Sequence, residues 1–374
     1  MSWRLGLVAA VLGGVLALGL DRMLESPPAT TAAPASEAAM LSPPAVPLVP
    51  PLADPGPARG LVSSALPTLG VSATAIEHGV YPLRGPGRAR QETLPLVSFT
   101  CPADRGCQAV FQALERRANR GGFSLVGHAG GDRPGRALHR AILSAGRPAL
   151  ALRAYPPGPR VTVLLTGVGR SPHLLEALLR LDGDVTYAVS AGARDAPRVA
   201  GRLTAAGREV IAHLPMEPMP PVTPDGSGYL SMAMDPETIR AQTVAFLDRV
   251  PGAVGANTHQ GGRLTASRHH MEAVLGVLAE RGLFFLDGRA TDASVAAATA
   301  RAQGVRVAVR THRLDGPSES LDARLKSIEV ALALEGHAVV LAEASRVVIA
   351  ILPQWLRALR SRRVSVLRLS EIVL

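Results

Sequence analysis

The chain contains few aromatic residues and almost no lysine. Aromatic side chains make up 3% of the 374 residues, and Lys326 is the only lysine, so arginine carries nearly all of the basic charge behind the net +10. Proteins that bind nucleic acid commonly combine basic patches with aromatic side chains on which bases stack. The arginines here are scattered singly without interleaved aromatics, which argues against nucleic acid as a partner. Since hydrophobic residues make up 47% of the chain, we expect a core of Leu, Val, Ile and Ala.

Cysteine is also scarce. Cys101 and Cys107 are the only two, and no CxxC pair or Cys/His zinc knuckle is present. In an oxidising compartment these two residues could form a disulfide. The alternative is a pair of unbridged small hydrophobic side chains, and evidence of export favours the bridge.

An apolar segment near the N-terminus predicts that export. Trp3 and Arg4 precede an unbroken apolar run over residues 5–20, which ends at Asp21 and Arg22. A basic start followed by such a run is typical of an export signal. Two alternatives stay open for residues 1–22, a cleaved signal and an uncleaved anchor in the inner membrane, and we favour the anchor. Arg4 then stays in the cytoplasm and the remainder lies on the periplasmic side.

Two segments separate this run from the main domain. Residues 23–92 are rich in Pro, Ala, Ser and Gly, a composition typical of a disordered linker. Residues 93–156 predict a small α+β accessory segment with a helix at 108–118. In this segment a turn at residues 144–147 predicts a β-hairpin.

Residues 157–374 alternate between strands and helices. Short apolar runs without alternation are typical of parallel strands buried on both faces, and amphipathic helices lie between them, as after Asp235-Pro236. The alternation predicts an α/β fold, an irregular (β/α) barrel of about seven or eight parallel strands. The candidate strands are 161–165, 185–189, 209–214, 253–257, 283–287, 305–309, 337–341 and 364–367.

Polar side chains follow several of these strands. In parallel α/β folds the chemistry collects beyond the C-terminal ends of the strands. We therefore expect five residues to converge on one rim of the barrel: His213, His259, Asp287, Arg289 and Glu343.

Three sequence runs around these positions resemble the divergent polysaccharide deacetylase family, relatives of the NodB-type carbohydrate esterases. They are Ala-His-Leu-Pro-Met-Glu-Pro at 212–218, Gly-Ala-Asn-Thr-His-Gln-Gly-Gly-Arg-Leu-Thr at 255–265 and Gly-Leu-Phe-Phe-Leu-Asp-Gly-Arg at 282–289. The resemblance covers roughly residues 160–374. It implies hydrolysis of N-acetyl groups on a polysaccharide or peptidoglycan-type glycan.

The resemblance also implies roles for individual residues. In such a reaction a divalent metal, zinc, polarises the carbonyl group, while acids and bases move protons. His259, Asp287 and Arg289 are the implied catalytic residues, and His259 and Glu343 the implied metal ligands. Three further residues are the implied substrate-binding groups: Asn257, Arg263 and His213.

The sequence departs from the family at critical positions. Family members carry two adjacent aspartates where Thr166 and Gly167 stand, and a Gly-His-Pro turn where Glu343 and its neighbours stand. An aspartate often seen after Arg310 is replaced by Thr311. Three hypotheses follow: a degenerate enzyme without a cofactor, a metal site rebuilt from histidine and carboxylate, or an active deacetylase with other critical residues. A non-catalytic glycan-binding or scaffold protein that uses the same cleft is the alternative to an enzyme.

Overall fold

The computed structural model describes residues 52–82, 93–127, 137–181, 184–222, 228–315 and 320–373. The apolar run at residues 5–20 and most of the predicted linker therefore lie outside the described residues. Within the described ranges no helix combines the length and apolar character needed to cross a bilayer.

The first part of the fold is a small α+β module. It contains α1 (Gly56–Thr68), β1 (Ile76–Pro82), β2 (Thr93–Thr100), α2 (Gly106–Arg120), β3 (Phe123–Gly127), β4 (Leu138–Ser144) and β5 (Arg147–Tyr155). The strands form one sheet in the order β1-β2-β5-β4-β3. Neighbouring strands are antiparallel except β2 and β5, which are parallel. The two helices pack against this sheet through buried apolar side chains such as Leu66, Phe99 and Leu114.

The prediction of a disordered linker up to residue 92 is wrong for residues 56–82. Helix α1 buries Ala58, Val62, Ala65 and Leu66, and β1 pairs along its length with β2. The proline- and alanine-rich composition of the whole segment conceals this helical spacing of apolar residues, because a composition window averages over one helix face. The accessory module therefore includes residues well before residue 93.

Two local predictions for the module are confirmed. Strands β4 and β5 form the predicted hairpin, and its turn residues Ala145 and Gly146 both have positive φ, 50° and 75°. Such values are typical of a two-residue hairpin turn. Cys101 and Cys107 form the predicted disulfide, which joins the end of β2 to the start of α2.

The second part is a parallel α/β structure. Its strands are β6 (Arg160–Val168), β7 (Thr186–Ser190), β8 (Glu209–Met216), β9 (Gly255–Gln260), β10 (Phe284–Asp287), β11 (Val307–Val309), β12 (His312–Arg313), β13 (His337–Glu343) and β14 (Ser365–Val366). Its helices are α3 (Leu175–Leu179), α4 (Ala196–Ala205), α5 (Pro236–Asp248), α6 (Gly262–Thr265), α7 (Arg268–Arg281), α8 (Ala296–Ala302), α9 (Leu321–Glu335) and α10 (Arg346–Ser361). The sequence predicted all of these strands except β12.

The sheet has the order β11-β10-β9-β8-β7-β6-β13-β12, with β14 added to β6, and every pair is parallel. It curls into a half-barrel whose two edges are linked by two consecutive residues. The Arg310 amide donates to the Asp287 carbonyl on β10, and the Thr311 amide donates to the Val339 carbonyl on β13, both at 3.0 Å. This architecture confirms the predicted irregular barrel.

Successive side chains of a strand point to opposite faces of the sheet, so the two faces contribute to two separate apolar cores. One face packs against the helices through a large cluster that includes Val163, Ala212 and Phe285. The other face carries a smaller apolar cluster that includes Leu164, Ile211, Phe284 and Leu341, and the C-terminal residues Leu369 and Val373 pack against it. We call this second face the inner face.

The module and the half-barrel meet at the C-terminal segment. The buried Arg153 guanidinium on β5 donates to the Val373 carbonyl at 3.0 Å, and the Tyr155 hydroxyl donates to the Glu371 carbonyl at 2.7 Å. Arg160 on β6 in turn donates to the Thr100 hydroxyl at 2.8 Å. Buried hydrogen bonds of this kind are costly to break when one partner is removed.

Candidate functional site

A layer of polar side chains covers the inner face at the C-terminal ends of the strands. Side chains two positions apart on a strand share a face. Thr166, His213 and Glu343 each follow, by two positions, an apolar residue of the inner cluster: Leu164, Ile211 and Leu341. The register then places Ser190 on β7 and Asn257 on β9 beside His213 on β8.

Two histidines of this layer are in direct contact. His213 Nε2 lies 3.1 Å from His259 Nδ1, and the ring centroids are 4.8 Å apart. On its other side, His213 Nδ1 lies 2.9 Å from the Asn257 side-chain oxygen. His213 is 4% exposed, whereas His259 is only partly buried, so the pair leads from the buried strand layer toward solvent.

The Asn257 oxygen sets the direction of these hydrogen bonds. A carbonyl oxygen only accepts, so with the Asn257 oxygen in this position His213 Nδ1 is the donor to it. With both rings neutral, His213 Nε2 is then an acceptor, and His259 Nδ1 donates to it. That leaves His259 Nε2 as an acceptor, and it faces a guanidinium nitrogen of Arg170 at 3.3 Å.

The pair lines a cavity of about 740 Å³ at the C-terminal ends of β6 to β9. We call it the His213–His259 cavity. Its lining consists of Gly169, Arg170, Pro172, Ser190, Gly192, Ala193, Arg194, Asp195, His213, Pro215, Met216, Gly228, Tyr229, His259 and Gln260. A cavity of this volume lies within the usual range for small-ligand sites.

Glycine is required where the chain leaves β9 beside the cavity. Gly261 has φ of +77°, and a Cβ there would lie 3.0 Å from Met216 Cβ. Only glycine combines this backbone conformation with such a close approach. The turn starts helix α6 directly after His259 and Gln260, which keeps both residues at the cavity.

The residues present do not make a zinc shell. A catalytic zinc site takes three protein ligands and leaves one position open. Across the part of the chain that the structure describes, no three His, Cys, Asp or Glu side chains are grouped to hold a metal. The cationic guanidinium of Arg170 also stands against His259 Nε2, on the side where a metal ion would coordinate. Zinc coordination by His259 and Glu343 therefore does not fit this arrangement.

Glu343 nevertheless contributes a carboxylate near the end of β6, where Thr166 and Gly167 stand in place of two aspartates. A Cβ built on Gly167 would lie 3.6 Å from Glu343 Oε1 and 3.8 Å from Arg170 Cδ. Glu343 pairs in register with Thr166, and its own amide donates to Asp315 Oδ1 at 3.1 Å. The three positions 166, 167 and 343 thus do form one neighbourhood, as their places at strand ends predicted.

Asp287 is held away from the His213–His259 cavity. Its carboxylate accepts hydrogen bonds from the Arg289 amide at 2.8 Å, the Ser294 hydroxyl at 2.9 Å and the Ala297 amide at 3.3 Å. It is 2% exposed and is not part of the cavity lining. Asp287 follows Leu286 of the inner face by one position and so points to the helix side, where it fixes the start of α8.

Arg289 and Arg263 also lie elsewhere. The exposed Arg289 guanidinium is 3.6 Å from the exposed Asp292 carboxylate, a pair of little energetic weight. Arg263 donates to Glu217 Oε1 at 2.6 Å, and both line a second cavity of about 540 Å³. Tyr229 lines both cavities, so they adjoin. The catalytic and substrate-binding roles that the sequence predicted for six residues stay predictions. Of those six residues, only His213 and His259 line the His213–His259 cavity.

Burial and hydrogen bonds act in opposite directions on Glu217. Burial favours its neutral form, but the Met232 amide, the Ser231 hydroxyl and Arg263 all bond the ionised form. Together they hold the Glu217 pKa below its ordinary value. Its carboxylate therefore anchors residues 231 and 232 to the segment that follows β8.

The sequence did not predict several of the residues that line the cavity. Ser190 ends β7, and Arg194 and Asp195 lie in the loop that follows it, where the sequence predicted no site residue. The rule that placed His213 and His259 applies equally to that loop. The rule also applies to Arg170, two residues beyond the end of β6, but nothing in the sequence indicates its contact with His259, which is 89 residues away.

Comparisons with known proteins agree with this fold. Residues 163–373 match the sequence model of the divergent polysaccharide deacetylase family. The chain is 27% identical over 186 residues to the uncharacterized protein YibQ of Escherichia coli strain K12, covering 50% of this chain and 56% of that protein. It is 31% identical over 168 residues to an uncharacterized protein of Haemophilus influenzae, covering 44% of this chain and 59% of that protein. The chain thus spans a little over half the length of these curated relatives.

Among solved structures, the chain is similar to an uncharacterized protein, ATU2773, from Agrobacterium tumefaciens C58. The TM-score is 0.55 at 24% sequence identity, covering 58% of this chain and 89% of that one. At this level of identity the likeness concerns the fold alone.

Proposed function

The chain belongs to the divergent polysaccharide deacetylase family, and from that premise we propose that it binds a polysaccharide of the cell envelope. The binding site is the His213–His259 cavity, and metal-dependent deacetylation is not carried out there. Family membership supports the polysaccharide. The residues of the cavity support binding without hydrolysis.

One observation carries the second half of this proposal. The guanidinium of Arg170 lies 3.3 Å from His259 Nε2, the one imidazole nitrogen of the pair that is turned away from the other ring. A fixed positive charge beside this nitrogen opposes a divalent cation. Thr166 and Gly167 add no carboxylate with which a cation could be held.

The adjoining cavities support a chain rather than a single sugar. Tyr229 lines both the His213–His259 cavity and the cavity at Glu217 and Arg263. Aromatic rings offer an apolar face together with a polar tip, which suits the mixed surface of a sugar. A polysaccharide lying across Tyr229 would contact both cavities.

Two features support a place in the envelope, on the periplasmic side of the inner membrane. The apolar run at residues 5–20 has the character of an export signal or anchor. The disulfide between Cys101 and Cys107 suits an oxidising compartment, because disulfides persist there and are rare in the cytosol.

Binding and acetate release by the full chain test this proposal together. Hexa-N-acetylchitohexaose is titrated calorimetrically, and acetate is measured with and without added zinc chloride. We expect saturable binding, no stoichiometric zinc after purification and no acetate. His259→Ala should weaken binding, whereas His337→Ala, an exposed histidine outside the cavity, should not. Acetate release that needs zinc and disappears only in His259→Ala would overturn the proposal.

A second candidate function is metal-independent hydrolysis, and the hydrogen-bonded series Asn257–His213–His259 favours it. An imidazole oriented in this way can take a proton from water in general-base catalysis. Acetate release unaffected by zinc or chelator, and lost in His259→Ala, would select this candidate.

A further inference from the structure

We propose that the His213–His259 cavity contains an oxyanion subsite, which selects polysaccharides with negatively charged sugars. It is built by Arg170 after β6, Ser190 at the end of β7 and Arg194 just before α4. The inference rests on the proposed function and names the class of glycan bound.

The charges that line the cavity are mostly positive. Arg170 and Arg194 contribute two guanidinium groups, and among the described residues of the lining Asp195 is the one with an acidic side chain. The Asp195 carboxylate is already paired with Arg198 at 3.0 Å. The Arg194 guanidinium is exposed, and within the described ranges no acidic side chain forms an ion pair with it.

A buried hydroxyl at the same place lacks a partner. Ser190 is 8% exposed and lines the cavity, and among the described residues nothing bonds its Oγ. Buried side-chain hydroxyls nearly always have a hydrogen-bond partner in folded proteins. The register places Ser190 beside His213 on the inner face, so a ligand that contacts the histidine pair also reaches this hydroxyl.

The start of α4 adds to the positive electrostatic potential of the cavity. Ala193, Arg194 and Asp195 line the cavity and lead directly into this ten-residue helix. The Asp195 side chain makes no capping bond to the helix. The N-terminal end of a helix carries a partial positive charge and favours anions.

Hydrogen bonds from one arginine fix the loop that carries these groups. Arg249, beyond α5, donates to the carbonyls of Ala191 at 2.8 Å, Ala193 at 2.7 Å and Arg194 at 3.3 Å. Gly192 packs closely against Pro215, because a Cβ at Gly192 would lie 3.3 Å from the proline ring. The subsite is therefore preorganised, which lowers the entropic cost of binding.

Calorimetric titration of the full chain with two oligosaccharides tests the inference. The acidic probe is a hyaluronan hexasaccharide, which carries carboxylates, and the neutral probe is hexa-N-acetylchitohexaose. We expect the acidic probe to bind roughly tenfold more tightly, as for one charge-assisted hydrogen-bonded contact. Arg194→Gln should remove this preference. Arg116→Gln, the same charge change on the exposed face of α2, should leave both affinities unchanged.

Ser190→Ala separates the subsite from a folding defect. The variant removes an unpaired buried hydroxyl, so its melting temperature should equal or exceed that of the wild type. Its affinity for the acidic probe should nevertheless fall. Ser98→Ala removes another buried, unpartnered hydroxyl, in the accessory module, and serves as the matched control. It should leave both affinities unchanged.

Each outcome is decisive. Equal affinity for the two probes would overturn the oxyanion subsite and leave polysaccharide binding intact. If neither oligosaccharide binds but inorganic phosphate raises the melting temperature of the wild type and not of Arg194→Gln, a free anion is the ligand, and polysaccharide binding is overturned. If neither oligosaccharide binds and phosphate has no such effect, both proposals fail.

Discussion

The Nδ1 atom of His213 lies 2.9 Å from the side-chain oxygen of Asn257, a residue with no exposed surface. This contact determines which nitrogen of His213 carries the proton, and through it how His259 is presented to the cavity. The chemistry of the His213–His259 cavity therefore depends on an asparagine that does not line it.

Asn257→Ala should destabilise the protein and release His213. The substitution leaves a buried Nδ1–H without an acceptor, at a cost of about 1–3 kcal/mol in the free energy of unfolding. Urea denaturation measures this loss, and ¹⁵N chemical shifts of the imidazoles report the tautomer. Asn119→Ala, at an exposed position near the end of α2, is the control. An unchanged His213 tautomer in Asn257→Ala would contradict the assignment.

Gly255→Ala should disrupt the inner face of the half-barrel. A Cβ at this position would lie 2.5 Å from the ring of Phe284 on the neighbouring strand. Overpacking of this kind in a core typically costs about 1–3 kcal/mol. Gly60→Ala is the matched control, since nothing lies within 4 Å of its added Cβ in α1. Equal melting temperatures for the two variants would show that Phe284 moves without cost.

Tyr155→Phe should loosen the contact between the accessory module and the C-terminal segment. It removes the hydroxyl that donates to the Glu371 carbonyl at 2.7 Å and leaves that buried carbonyl without this donor. We expect a loss of about 1–2 kcal/mol in the free energy of unfolding. Hydrogen exchange should also become faster at residues 369–373. Tyr81→Phe, on the partly exposed strand β1, should change neither.

Glu217 should make stability depend on pH in the acid range. Because hydrogen bonds hold the pKa of folded Glu217 below its ordinary value of 4.5, its contribution is present above that value. The contribution is lost as pH falls below 4.5 and through the lower folded pKa. The melting temperature of Glu217→Gln should therefore lie below that of the wild type at neutral pH and approach it in acid. Exposed Glu115→Gln is the control, and a constant difference across the pH series would contradict the assignment.

The candidate site was accessible to sequence reasoning only in part. His213 and His259 were placed correctly because the C-terminal ends of parallel strands meet on one rim. Asp287 obeys the same rule, yet its carboxylate bonds Ser294 and Ala297 on the helix side. One position along a strand reverses the face on which a side chain lies, and a four-residue apolar run does not reveal its phase.

The sequence by itself determined what depends on neighbours along the chain. The Asp235 side chain caps α5 by accepting from the Thr238 amide at 2.7 Å, and Ala145 and Gly146 turn the hairpin, as local patterns predicted. The tertiary structure alone decided that Arg170 meets His259 and that residues 56–82 join the module. Contacts between distant segments arise from packing in three dimensions, and no periodicity within either segment encodes them.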